Sequence, residues 1–287
     1  MRTTSGNTAT EAFRALHASG CFLLPNPWDV GSAVYLYRLG YKALATTSAG
    51  FAFSRGLQDS STALELETVL EHQVEIVRAT PLPVTADFQD GYAKEPRDVA
   101  DNVEACLRTG VAGLSIEDST GDPRAPLFER RLAIERVRAA CAARDAHQPS
   151  AIVTARCEAW LVGDSDPART ALDRLIAFAE AGADCLYAPG VRDLETIASI
   201  VRAVAPRAVN VLVSAPSPEL SLRSLEDLGV RRISVGSAMA RVAWGAFARA
   251  ARAILETGGF DSFEGAAPHA ELDELFDQGS RSRSGPR

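Results

Sequence analysis

The chain predicts an α/β protein, a single (β/α)8 barrel with a C-terminal helical extension. Three observations carry that expectation. Eight short apolar runs alternate with helical segments, at a spacing of roughly 30 residues. Alternating βα units imply a parallel sheet with right-handed crossovers, and eight of them favour a closed barrel over an open doubly wound sheet. The Gly-rich dinucleotide fingerprint and the phosphate-loop motif of many open sheets are both missing.

The elements follow in order. Glu11 to Ser19 reads as a short helix with Phe13 and Leu16 on one face. Cys21 to Leu24 is the first strand, broken by Pro25-Asn26-Pro27-Trp28-Asp29. Asp29 stands where an N-cap belongs, and its helix runs to Leu39 and stops at Gly40. Ala43 to Thr47 is the second strand, followed by Ser48-Ala49-Gly50 and a polar loop with Asp59. Helix Leu64 to Arg78, strand Leu82 to Ala86 and a helix from Pro96 to Arg108 come next. The same unit repeats with strands at Gly113 to Ile116, Ala151 to Ala155, Cys185 to Ala188, Val209 to Val213 and Arg232 to Val235. Helices Leu132 to Ala143, Arg169 to Ala181, Leu194 to Val204 and Leu222 to Leu228 separate them, and a long helix, Ala238 to Leu255, closes the set. The barrel is expected over residues 1–257. Residues 258–287 form the extension, with a weak helical pattern at Leu272, Leu275 and Phe276 and a basic end, Arg281 to Arg287, expected to be disordered.

Composition narrows the function. The 287 residues are 46% hydrophobic and 23% charged, which suits a large core. A net charge of -7 gives no nucleic-acid footprint. No apolar run reaches membrane-spanning length, and Met1 to Thr10 has no apolar leader segment. The five cysteines are scattered, without zinc-ligand spacing, and read as buried thiols. A cytoplasmic, reducing location is the expectation.

A barrel of this kind places its chemistry at the carboxyl ends of its strands. Those ends carry Trp28 and Asp29, Ser48-Ala49-Gly50, Asp87 and Asp90, Glu117 and Asp118, Arg156 and Glu158, Asn210 with Ser214, and Gly236-Ser237. None of the four histidines falls there, which argues against a His-based triad or a His-ligated zinc site. An oxygen-rich acidic cluster facing one arginine suits Mg²⁺ or Mn²⁺ and a bidentate grip on a substrate carboxylate. Asp29, Asp90 and Asp118 each have a plainer reading, as helix cap, turn residue and loop cap. The long last helix is apolar or small on nearly every face, so a partner beyond its own barrel is expected and the protein should be a homo-oligomer.

Five motifs resemble one family: Pro25 to Asp29 with Ser32-Ala33; Ser48-Ala49-Gly50 followed by Gly56-Leu57-Gln58-Asp59; Ala86-Asp87 with Gly91-Tyr92; Gly113 to Asp118; and Thr154 to Ala159. Together they resemble the isocitrate lyase/phosphoenolpyruvate mutase superfamily. The resemblance implies a Mg²⁺-dependent enzyme that makes or breaks C–C or C–P bonds beside a carboxylate, through an enolate. It implies Asp87 and Glu117 as metal holders, mostly through waters, and Asp59 near the reacting group. Ser48, Ala49 and Gly50 would offer backbone N–H groups, and Arg156 would hold the substrate, with Trp28 and Asn210 also lining the site. It further implies a tetramer, a dimer of dimers that exchanges the last helix.

Two departures stand out. Thr85 occupies the place of a usual Asp, and Asp90, in a segment longer than the family pattern, is the candidate replacement ligand. The Lys-Lys-Cys-Gly-His segment of the lyases is replaced by Glu117 to Arg124, without Cys, Lys or His, and the lysine-bearing gate of the mutases is missing too. The expected activity is therefore a lyase or hydrolase of a small 2-oxo or 2-hydroxy dicarboxylate such as oxaloacetate or a substituted malate. A phosphonate mutase or hydrolase, and a catalytically weak dicarboxylate-binding barrel, are the alternatives.

Overall fold

The computed structural model describes residues 5–283. Eight strands form one parallel sheet: β1 (Phe22–Leu24), β2 (Leu44–Ala45), β3 (Val84–Asp87), β4 (Gly113–Glu117), β5 (Ile152–Arg156), β6 (Cys185–Tyr187), β7 (Ala208–Leu212) and β8 (Arg232–Ser234). Their order is β1-β8-β7-β6-β5-β4-β3-β2, so the two ends of the sheet are the first two strands. Ala45 N donates to Pro25 O at 3.0 Å, and Asn26 Nδ2 to Thr46 O at 2.9 Å, across that seam. Asn26 Oδ1 also accepts from the N–H groups of Val235 and Gly236. One buried amide thus joins β1, β2 and the end of β8, and the barrel is nearly closed, as the eight-unit count predicts.

Eleven helices are seen among the described residues: α1 (Ser5–Leu16), α2 (Val30–Arg38), α3 (Ser48–Ser54), α4 (Leu66–Ala79), α5 (Pro96–Arg108), α6 (Arg130–His147), α7 (Pro167–Glu180), α8 (Leu194–Val204), α9 (Leu222–Asp227), α10 (Ala238–Thr257) and α11 (His269–Arg283). Their starts follow local chemistry. Asp29 and Ser32 form a reciprocal capping box at α2, and Asp166, Asp193 and Ser221 cap α7, α8 and α9. Pro96 and Pro167 sit in the first turn of their helices, where a missing N–H costs nothing. Helix α3 was not expected from the sequence. Its seven residues are small or aromatic and carry no helical stripe, and Thr47 starts it by accepting from Gly50 N.

The core lies in two shells. The main cluster packs α5, α6, α7 and α8 on the outer faces of β3 to β7. Helix α1 caps the amino-terminal mouth, where Phe13, fully buried, meets Ala112, Ile152, Cys185 and Ala208. Burying such a ring stabilises by about 2–3 kcal/mol. Gly113 opens β4 because a Cβ there would come within 2.5 Å of Ile152 O, so β4 and β5 approach only with glycine at that site.

Helix α10 behaves differently. Only Ala240 among its 20 residues is buried, while Val242, Trp244, Phe247 and Leu255 are exposed. Beyond Gly258, which ends the helix in the left-handed region, α11 returns to the barrel. Leu275 joins the cluster around Ala33 and Val34, and Phe276 reaches Gly31 of α2. The expected disordered end begins instead as helix, to Arg283; residues 284–287 lie outside the described residues. No described helix is long and apolar enough to cross a membrane.

Candidate active site

The carboxyl ends of the strands surround a cavity of about 180 Å³. Of the candidate residues, Ser48, Ala49, Asp59, Asp87, Arg156, Asn210, Gly236 and Ser237 line it, and Glu117 and Glu158 do not. Arg156 and Asp87 bring an ion-pair cluster to its wall. Arg156, at the end of β5, donates from Nη1 to Asp87 Oδ1 at 2.6 Å and lies 3.1 Å from Glu117 Oε2 through Nη2. Its Nε donates to Glu158 Oε1 at 3.0 Å. Three carboxylates from three different loops or strands thus share one guanidinium, and its fixed fork sets their spacing. The register explains the meeting: Glu117 and Arg156 are direct neighbours across β4 and β5, and Asp87 stands beside Ser115.

The short helix α3 supplies the second wall. Ser48 N and Ser48 Oγ both donate to Asp87 Oδ2 at 2.9 Å. Gly50 N is taken by Thr47 Oγ1 at 3.2 Å. The expectation that three consecutive N–H groups face the substrate is therefore reduced. Only the Ala49 N–H carries neither of these bonds, and Ala49 lines the cavity. Gly50 has a packing role, since a Cβ there would lie 2.6 Å from Thr47 and 3.0 Å from Trp28. Trp28 packs behind the helix and is not among the cavity-lining residues; Asn26, from the same motif, is.

Asp59 stands at the mouth, exposed as a residue although its carboxylate packs against Gln89, whose Nε2 donates to it at 3.2 Å. Burial of that carboxylate, and then the charge of Asp87, push its pKa upward. Burial also raises Glu117, against the pull of Arg156 and with Glu158 and Asp87 adding to the rise. Asp90 is turned away: its Oδ1 accepts from Tyr92 N at 3.0 Å, its carbonyl accepts from Arg136, and it does not line the cavity. It remains near enough for its charge to act on Glu117. Gln89 and Tyr92, flanking this turn, both have positive φ, a strained arrangement that the surrounding packing holds in place.

Asp118 points the other way from Glu117, as strand alternation requires. It is buried, accepts from Glu158 N at 2.8 Å and pairs with Arg174 at 3.0 Å, so it braces the cluster from behind. Asp29 is a helix cap. The segment after β4 folds on itself through a bridge between Ser119 and Leu127. Sequence reasoning overlooked Gln89, Ser115, Tyr187 and Arg232. Each is an ordinary residue within or beside a strand until the barrel turns it inward.

No group of three or more His, Cys, Asp or Glu side chains in metal-holding geometry occurs among the described residues. The donors around Arg156 are nonetheless all oxygen: Asp87, Glu117 and Glu158, with Asp59 near Asp87. That donor set fits a hard divalent ion held by one or two carboxylates with waters retained, and does not fit an all-protein cage.

Comparison with known proteins agrees with this geometry. An uncharacterized protein of Mycobacterium tuberculosis is 33% identical over 94% of this chain and 98% of its own length. An oxaloacetate decarboxylase of Chromohalobacter salexigens is 32% identical over 83% of this chain and 82% of its own. A solved structure from Burkholderia cenocepacia J2315, described only as a lyase/mutase, is 42% identical, covers 96% of this chain and 97% of its own, and superposes with a TM-score of 0.91. The sequence profile of the family described as phosphoenolpyruvate phosphomutase matches residues 13–255. With its motifs, its barrel and this profile in agreement, the chain belongs to the phosphoenolpyruvate phosphomutase family, within the isocitrate lyase/phosphoenolpyruvate mutase superfamily.

Proposed function

We propose that the chain is a Mg²⁺- or Mn²⁺-dependent lyase or hydrolase of a small 2-oxo or 2-hydroxy dicarboxylate, of the oxaloacetate or malate kind. The observation that carries this is the Arg156 cluster: one guanidinium between Asp87 and Glu117, at a cavity of about 180 Å³ that Ala49 also lines. Support comes from the oxaloacetate decarboxylase at 32% identity. Asp87 and Glu117 would hold the metal, with Asp90 acting on it from outside through water. A bound divalent ion would supply charge neutralisation for the substrate's chelating oxygens.

The chain's own groups do the rest. The Ala49 N–H donates to an oxygen of the substrate carboxylate. Arg156 sets the spacing of Asp87 and Glu117 and offers its fork to the charge that develops on the 2-oxo oxygen. Asp59, whose carboxylate accepts from Gln89, would hold or return the proton at the carbon where the bond breaks. The loop after β4, Glu117 to Arg124, offers no Cys, Lys or His for that role, which favours Asp59 in this reading.

The test is turnover on a panel of 2-oxo acids, malates and phosphonates, with Mg²⁺, with Mn²⁺ and after chelation. The reading expects release of a small acid or CO₂ from a 2-oxo dicarboxylate, lost on chelation and restored by Mg²⁺ or Mn²⁺. Metal-independent turnover, or rescue by zinc alone, would defeat it. Phosphate release from phosphonopyruvate would point to the C–P alternative.

A further inference from the structure

The cavity floor holds a second arginine. Arg232, the first residue of β8, is only 4% exposed yet lines the cavity. Three other buried arginines here each have a carboxylate partner. Arg144 pairs with Asp184, Arg174 with Asp118, and Arg156 with three carboxylates. Arg136 lacks a carboxylate partner among the described residues, but it lies outside the cavity: it donates to the carbonyls of Asp90, Ala93 and Lys94, lies over the Phe128 ring and leaves Nε without a partner. Arg232 has no carboxylate partner among the described residues. Its Nε donates to Asn210 Oδ1 at 2.9 Å, its Nη2 to Thr154 Oγ1 at 3.0 Å, and its Nη1 meets His17 Nε2 at 3.3 Å. All three partners are neutral. His17 Nδ1 faces Phe13 O at 2.8 Å, so that nitrogen carries the proton and Nε2 accepts.

Two consequences follow from elementary chemistry. A guanidinium has five N–H groups and no acceptor, so one N–H on each terminal nitrogen of Arg232 is left over. The same rule fixes Asn210, a cavity-lining residue: its Oδ1 must face Arg232, its Nδ2 gives one hydrogen to Ser234 Oγ at 2.9 Å, and the second N–H has no protein acceptor among the described residues. The floor therefore offers donors and a positive charge with no carboxylate partner among the described residues, in a cavity that Asp59, Asp87 and Arg156 also line. A buried charge without a counter-ion is costly, and a bound anion removes that cost. Thr154, which touches Arg232, lies two residues before Arg156 on β5, and both line the cavity. One such step along a strand is about 7 Å.

We infer that Arg232 is the specificity-determining cation of this cavity, binding a second anionic group of the substrate one strand layer below the group held at Arg156 and Ala49. The inference rests on the 2-oxo or 2-hydroxy acid reading above and deepens it: the substrate is a diacid, and Asn210 reinforces its far carboxylate.

Malate and 2-hydroxybutyrate differ in that far carboxylate, and oxalate carries only the head group. Their affinities, measured by calorimetry with Mg²⁺ present, separate the two questions. The wild-type protein is expected to bind malate at least about tenfold more tightly than 2-hydroxybutyrate, as befits a charge-assisted contact in a buried site. Arg232→Gln removes the charge, and Thr154→Asp supplies the missing counter-ion in place while keeping the arginine. Both should bring the ratio to within about threefold of unity, with oxalate affinity little changed, whereas Arg232→Lys keeps most of the preference. Thermal melts identify any variant that fails to fold, and Thr154→Asp stands as the independent arm if Arg232→Gln does. A wild-type ratio near one, or a ratio unchanged in a folded Arg232→Gln or Thr154→Asp, overturns the role of Arg232. Failure of wild-type protein to bind oxalate overturns the head-group reading instead.

Discussion

Arg156 Nη1 donates to Asp87 Oδ1 at 2.6 Å, across β4, joining the ends of β5 and β3. Glu117 and Glu158 share the same guanidinium. Removing it in Arg156→Gln leaves three carboxylates facing one another with no cation. The expected loss is about 3 kcal/mol of stability, and kcat/KM should fall by at least about 100-fold. Mg²⁺ should raise the Tm of this variant more than that of the wild type, since the ion would replace the lost charge. Equal metal-induced shifts in the two proteins would show that Arg156 and the metal do not share a site.

Asp90 forms the turn that Tyr92 N closes, and Asn can make the same bond. Asp90→Asn should leave the metal-free Tm unchanged and lower Mg²⁺ affinity on the order of tenfold, the effect of an outer partner. An unchanged Mg²⁺ titration would leave Asp90 a turn residue alone.

His17 ties acid stability to the barrel floor. Burial, and then the charge of Arg232, lower its pKa to about 3 from 6.5. Between those values the unfolded chain binds the extra proton, so stability falls as pH drops from 6.5 toward 3. The contribution is on the order of 2 kcal/mol, less than a full pKa difference implies because the residue is only partly buried. Urea unfolding at pH 7, 5.5 and 4.5 should show this slope in the wild type and a flatter one in His17→Gln. Parallel slopes would exclude His17 as the source.

Val242, Phe247 and Leu255 are exposed along α10, at 72%, 63% and 87%. A helix so apolar and so little covered by its own barrel is expected to pack on a second copy of the chain, with a tetramer of exchanged helices as the proposed assembly. Light scattering at micromolar concentration should give an oligomer for the wild type and a smaller species for Phe247→Asp. A wild-type monomer would contradict the assembly.

The order of strands and helices was legible residue by residue, because apolar runs and caps such as Asp29 act over a few positions. So was the meeting of Asp87, Glu117 and Arg156. Parallel strands in a barrel bring all their carboxyl ends to one face, so acids at those ends must converge. Other features were not local. Helix α3 exists because Thr47 and the β2 end place Gly50 in a first turn, which no hydrophobic stripe announced. Trp28 moved behind that helix, and its neighbour Asn26 took the place at the cavity. The cavity's second arginine is Arg232, which in sequence is the second of two arginines opening a strand. Motif and periodicity alone determined the barrel, the acidic rim and the family. Tertiary structure decided which donors stay free. That outcome depends on the tilt and register of strands far apart in sequence, which turn Arg232 into the barrel and leave it without a carboxylate.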